Sequence, residues 1–206
     1  MISHKHKFVF ICVPKTGSTS ITTALSKYCI KNFPPQKKHF SYSEYLNNKK
    51  KTEKIDKDYF SFSFVRNPFD RLVSQFHYTG RRWWDKVGFT EALKFGFKNY
   101  VKHMVAQNIP FSVHRYRSKR KLDQADEDWS QLQFLDEGVD FIGRFENLQE
   151  DFNFVCDKIG IPRQELPHEN KSKHKNYTEY YNDETKQIVA EKYAKDIEYF
   201  GYEFGE

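Results

Sequence analysis

The chain has 206 residues, enough for one buried sheet with its helices, and carries 34 Lys+Arg against 28 Asp+Glu for a net charge of +6. Its 20 Phe and 13 Tyr supply apolar bulk that excludes a disordered chain despite 30% charged residues. No run reaches the roughly 20 apolar residues of a membrane span, and the start has no signal-peptide core. The moderate positive charge suits an anionic ligand. No RNP, zinc-finger or basic-zipper pattern points to nucleic acid. Cys12, Cys29 and Cys156 show no metal spacing and read as reduced, buried thiols of a cytoplasmic protein.

In chain order, an apolar strand at 7–13 leads into a helix from 18 to about 31, on which Ile21, Ala24, Leu25, Tyr28 and Cys29 share one side. Pro34 and Pro35 break the chain. Ser41-Tyr42-Ser43-Glu44 reads as a capping box for a short helix ending near Asn48, and 49–57 is a lysine-rich solvated linker. The aromatic and serine alternation of 59–66 predicts a second strand, followed by a helix from Pro68 to about His77. A further helix runs from about 90 to 106, and 107–128 is a long charged loop. A third strand at 139–145 precedes a helix that aligns Leu148, Phe152, Val155, Cys156 and Ile159. The last helix spans about 183–197 with Asn182 as its cap. Strands separated by helices predict a parallel α/β sheet with ligands at the carboxyl ends of the strands.

Two such strand ends carry anion chemistry. In Val13-Pro14-Lys15-Thr16-Gly17-Ser18-Thr19-Ser20, the proline ends the strand and the glycine lets the backbone approach a ligand. Hydroxyls and amides then collect at a helix N-terminus, whose dipole favours a phosphate-like group. Lys15 adds a full charge. The loop departs from GxxxxGK[ST], because its lysine precedes the glycine. At the second strand end, Arg66 is placed to grip a phosphate bidentately and Ser74 lies two turns along the next helix.

Lys15-Thr16-Gly17-Ser18-Thr19-Ser20 resembles the 5'-phosphosulfate loop of sulfotransferases that use PAPS (3'-phosphoadenosine 5'-phosphosulfate). Arg66-Asn67-Pro68 through Ser74 resembles their 3'-phosphate motif. Phe141-Ile142-Gly143-Arg144-Phe145-Glu146-Asn147-Leu148, the basic stretch 170–177 and Phe200-Gly201-Tyr202 extend the likeness to the carbohydrate-type family that includes the heparan 2-O- and chondroitin 4-O-enzymes. This resemblance implies the sulfotransferase fold, a P-loop-like parallel sheet flanked by helices, in one domain over 1–206. About 79–135 is then a variable acceptor-side segment. It implies a PAPS donor, a PAP (adenosine 3',5'-bisphosphate) product, no metal, and a hydroxyl-bearing acceptor, a carbohydrate.

The same resemblance assigns roles. Lys15 neutralises the leaving 5'-phosphate, and Thr16, Gly17, Ser18, Thr19 and Ser20 bind the phosphosulfate, although Thr19 or Ser20 also suit a helix cap. Arg66 and Ser74 take the 3'-phosphate, with Ser172, Lys173, Lys175 and Tyr177 as clamps on that side. His39 is the candidate general base, since a histidine titrates near neutrality; it equally suits the entry to the following helix. His77 and His114 are rivals, and Arg81, Arg82, Trp83 and Trp84 combine charge with flat apolar surface as a sugar site would. Arg144 and Glu146, flanking Phe145, are expected to share a strand face. Two other readings fit the loop: an ATP-dependent kinase or nucleotide hydrolase, and a non-catalytic polyanion-binding module.

Overall fold

The computed structural model describes residues 1–29, 41–46, 55, 58–82, 96–104, 130–135, 138–167 and 175–206. The predicted linker, apart from Ile55, and the predicted loop 107–128 lie outside them. So do His39, Trp83, Trp84, His114, Ser172 and Lys173. The chain divides into two compact units, Met1–Arg66 with Gln131–Lys171, and Asn67–Ser130 with Ser172–Glu206.

The first unit is built on a four-stranded sheet of order β1-β2-β3-β4. Its strands are β1 (Ile2–Ser3), β2 (Phe8–Ile11), β3 (Phe60–Val65) and β4 (Phe141–Arg144). The three long strands run parallel, as the alternation of strands and helices predicts, and β1 adds a short antiparallel edge. One sheet face is a ladder of rings. Register sets Phe10 beside Phe62, with ring centroids 5.1 Å apart, and Phe62 beside Phe141. Helix α1 (Ser18–Leu25) packs Ile21, Ala24 and Leu25 on this ladder, and the helix Leu148–Lys158 packs Phe152, Val155 and Cys156. Truncating one of these rings to alanine removes about 3–5 kcal/mol.

The serines that alternate with the rings are buried too, so their hydroxyls need partners. Ser63 Oγ donates to the Ile11 carbonyl at 2.8 Å. Ser61 donates both its N–H and its hydroxyl to Asp140 Oδ2, each at 2.7 Å. On β4, Gly143 makes room for a neighbour, because a Cβ there would lie 2.5 Å from Phe64 Cε1.

Several boundaries move from their predicted positions. Helix α1 ends at Leu25 and gives way to a 3-10 turn over Ser26–Tyr28, where Ser26 Oγ bonds back to the Thr23 carbonyl. A short α2 spans Tyr42–Leu46, and Ser41 Oγ lies 3.0 Å from Ser43 Oγ. Strand β4 stops at Arg144 and Phe145–Asn147 is a 3-10 turn, so Arg144 and Glu146 do not share a strand face. The Arg144 N–H is taken by Asp151 Oδ2 at 2.6 Å, which turns the chain into α5 (Leu148–Lys158).

The second unit holds α3 (Pro68–Arg82), α4 (Phe97–Met104), α6 (Asp183–Lys192) and α7 (Ala194–Phe200). Asn67 starts α3. Its Oδ1 accepts from the Phe69 N–H at 3.1 Å, and its Nδ2 donates to the Glu203 carbonyl at 2.8 Å. The helix runs five residues past its predicted end. The predicted Asn182 cap is present as a reciprocal box with Thr185. The expected single helix over 183–197 instead breaks at Tyr193, which is 1% exposed. An aromatic cluster forms the core, with Phe69, Tyr181 and Phe204 edge to face at 5.0–5.5 Å.

Candidate active site

The loop between β2 and α1 has an unusual backbone. Lys15 and Gly17 both lie in the left-handed region, at φ 70° and 75°, while Thr16 between them does not. Alternating handedness of this kind turns successive N–H groups toward a common point and makes an anion-binding concavity. Lysine pays a conformational cost of about 1–3 kcal/mol for such a position, tolerated where surrounding contacts impose it. One contact is Thr16 Oγ1, which donates to the Val13 carbonyl at 3.1 Å.

Gly17 is also the N-cap of α1. It makes no side-chain cap hydrogen bond, and the first helical turn carries no acid. The helix therefore presents backbone N–H groups and the positive end of its dipole without a carboxylate of its own to neutralise them. A phosphate-like group fits this donor set. Thr16 and Gly17 have structural duties beside any ligand role. The Thr16 hydroxyl is engaged by Val13, so this residue offers its backbone. A Cβ on Gly17 would meet Leu148 Cδ2 at 2.8 Å and Phe145 Cδ2 at 3.3 Å. Ser18 and Ser20 are buried, whereas Lys15 and Thr19 are half-buried.

Arg66, 51 residues further along, is brought to this loop. Its Nη1 donates to the Lys15 carbonyl at 3.2 Å, and its guanidinium lies 3.9 Å over the centre of the Phe145 ring. Its backbone is held as well. The Arg66 N–H donates to Gln131 Oε1 at 3.0 Å, and its carbonyl accepts from Gln131 Nε2 at 2.9 Å. Arg66 is 7% exposed and Gln131 is fully buried. Sequence reading assigns no role to Gln131 or to the Phe145 ring. Gln131 lies near the end of the segment expected to vary with the acceptor, and nothing in its neighbourhood signals a partner 65 residues earlier.

The remaining predicted residues belong to the second unit. Ser74 lies half-buried on α3. The Tyr177 hydroxyl accepts from the Gly205 N–H at 2.7 Å and donates to the Glu206 carbonyl at 3.2 Å, so it ties down the C-terminal turn. Lys175 is exposed and 3.6 Å from Glu179. His77 Nε2 is 2.9 Å from the Tyr180 hydroxyl, and its ring is edge-on to Phe76 and Tyr180. Arg81 and Arg82 form the last residues of α3.

The family model described as "Sulfotransferase family" matches residues 1–203. Carbohydrate sulfotransferase 14 of Danio rerio is 24% identical over 233 aligned residues, covering 98% of this chain. The chain spans 61% of that relative's length. An uncharacterised protein of Archaeoglobus fulgidus is 30% identical over 115 residues, 54% of this chain and 77% of the relative. The crystal structure of a sulfotransferase from Alicyclobacillus acidocaldarius aligns over 96% of both chains at 15% identity, with a TM-score of 0.46. With its match extending over residues 1–203, the chain belongs to the sulfotransferase family.

Proposed function

We propose that this protein is a PAPS-dependent sulfotransferase that transfers a sulfuryl group to a hydroxyl of a carbohydrate acceptor and releases PAP. The observation that carries the reading is the bond from Arg66 Nη1 to the Lys15 carbonyl. It joins a strand-end arginine to an uncapped, left-handed phosphate loop, which is the pairing that a cofactor phosphorylated at both its 3' and 5' positions requires. The carbohydrate sulfotransferase likeness supports the acceptor class.

PAPS supplies the activated sulfuryl group together with a good leaving group. The loop amides of 16–20 hold the 5' end, Lys15 balances the negative charge that develops on the departing phosphate, and Arg66 with Ser74 takes the 3'-phosphate. Lys175 and Tyr177, with Ser172 and Lys173, border the 3' side. His39 removes the acceptor proton, with His77 and His114 as the residues next in line. Arg81, Arg82, Trp83 and Trp84 belong to an acceptor-side segment at about 79–135 of one sulfotransferase domain. No metal is required in this reading, because a sulfuryl group carries less charge than a terminal phosphoryl and Lys15 supplies a positive charge at the loop. The three free thiols suit a cytoplasmic setting. Among the described residues no helix is long and apolar enough to cross a membrane.

Calorimetric titration with PAP, ADP and ATP tests the reading. Charge-assisted bonds to the 3'-phosphate contribute about 1.5–3 kcal/mol each, so PAP should bind at least about tenfold more tightly than ADP. Equal affinities for PAP and ADP would remove the cofactor assignment. Binding of a sulfated polysaccharide alone would favour a polyanion module.

A further inference from the structure

The Gln131 side-chain amide pairs with both backbone groups of one residue. Its Oε1 and Nε2 pair with the N–H and the carbonyl of Arg66, at 3.0 and 2.9 Å, as a neighbouring strand would. The register explains why a substitute is needed. Val65 is the last residue of β3 paired with β4, opposite Arg144, and β4 ends there. Gln131 thus continues the ladder of hydrogen bonds by one residue and holds the Arg66 backbone just past the sheet.

The side chain is then fixed at two further points. The Phe145 ring carries the guanidinium carbon 3.9 Å above its centre, and the Lys15 carbonyl takes one N–H. Phe145 also faces the Gly17 Cα, since a Cβ built there would come within 3.3 Å of its ring. Backbone, guanidinium position and one donor of Arg66 are therefore each set by a different residue. The last of these, Lys15, sits in the left-handed conformation on which the phosphate loop depends.

We propose that Gln131 and Phe145 are positioning residues that act through Arg66, fixing its guanidinium for the 3'-phosphate and, through the Lys15 carbonyl, holding the loop that receives the 5' end. This rests on the PAPS reading for the ligand, and on the free protein alone for the loop. A glutamine chosen only to fill a buried gap would be replaceable by an isosteric apolar side chain without effect on ligand preference.

The test uses the full chain with Gln131→Met, Phe145→Leu, Phe145→Tyr and Arg66→Ala. Calorimetry with PAP and ADP gives the ratio of affinities, and hydrogen exchange on the ligand-free protein gives the protection of the 16–18 amides. Gln131→Met and Phe145→Leu should each lower the PAP-to-ADP ratio by about fivefold to tenfold, the size of one or two lost hydrogen bonds or of one cation–π contact. Phe145→Tyr, which keeps the ring face, should restore the ratio. In the Arg66→Ala background Gln131→Met should change PAP affinity no further, because the guanidinium it positions is gone. The loop amides should exchange faster in both single variants while those of Phe10 and Phe62 stay protected.

An unchanged ratio with unchanged loop exchange would overturn the proposal. So would an equal loss of PAP and ADP affinity with additive effects in the double variant. If the wild type does not prefer PAP, the cofactor reading fails and the exchange data alone decide the positioning role. If Gln131→Met does not fold, the two Phe145 variants decide it.

Discussion

Helices α1 and α3 both begin at the carboxyl end of a parallel strand, yet their N-termini are finished in opposite ways. At α3, Asn67 caps the Phe69 N–H with its own side chain, and Asp70 sits in the first turn. At α1 the cap is a left-handed glycine with no side-chain bond, and no acid follows. A helix start satisfied by its own sequence has little left for an anion, whereas one left open is costly unless something binds there. The difference separates a helix start closed by its own side chain from one that leaves room for the anion proposed above. Arg66, the residue just before Asn67, is the exception at the second end, because its side chain is directed to the first.

The largest expected effect that would break this comparison is on turnover. Lys15→Ala should lower kcat by about 10² to 10³, the loss typical of one stabiliser of transition-state charge, and should weaken PAP as well. His39→Ala should lower kcat by roughly 10² to 10⁴ while PAP affinity stays near wild type, since a base acts on the acceptor. Steady-state kinetics with calorimetry would check both. A His39→Ala protein with normal turnover would move the base to His77 or His114.

Next come the two caps. Gly17→Ala forces a Cβ into a left-handed position 2.8 Å from Leu148 Cδ2, so it should cost about 1–3 kcal/mol of stability and weaken PAP markedly. Asn67→Ala loses a cap and orphans the Glu203 carbonyl, for about 1–3 kcal/mol in urea denaturation, with a much smaller effect on PAP. Equal damage to PAP binding by both would erase the distinction drawn between the helix starts.

If the open helix start and Lys15 together supply the positive charge, no metal is needed there. Sulfuryl transfer measured in EDTA should then keep its rate. Loss on chelation and recovery with Mg²⁺ would favour the kinase-like alternative.

The strand ends were legible because their chemistry is local. Proline and glycine between an apolar strand and a helix announce the turn that leads into α1, and the alternation that ends at Arg66 announces the end of β3. Gln131 and Phe145 were not legible as partners of Arg66, because their meaning lies in what they touch 65 and 79 residues away. Helix ends were less legible than starts. Asn182 was identifiable as a cap from its type, but the break at Tyr193 depends on burial of its ring, which no local pattern records. The serines of β3 read correctly as one face of a strand, while their burial depends on Asp140 and the Ile11 carbonyl being there to receive them.

The smallest effect expected concerns pH. Burial raises the Cys29 thiol from 9.0 to about 11, and burial also carries the Tyr181 and Tyr193 hydroxyls well above 10.0. In each case the folded protein holds its proton more tightly than the unfolded chain. The Cys29 contribution to stability is whole below pH 9 and is lost as the pH climbs through about 11. Urea midpoints should fall over that interval, and tyrosinate absorbance from these two residues should appear only with unfolding. Cys29 should alkylate more slowly at mildly alkaline pH than a model thiol.

Gly143 carries a different lesson. The space its missing side chain leaves is occupied by the Phe64 ring, so the two positions, on adjacent strands, share one volume. Neither can change alone without cost: an alanine at 143 collides with the ring, and a smaller residue at 64 opens a void. A designer wishing to re-cut this sheet would have to exchange both at once, as with a mortise and its tenon.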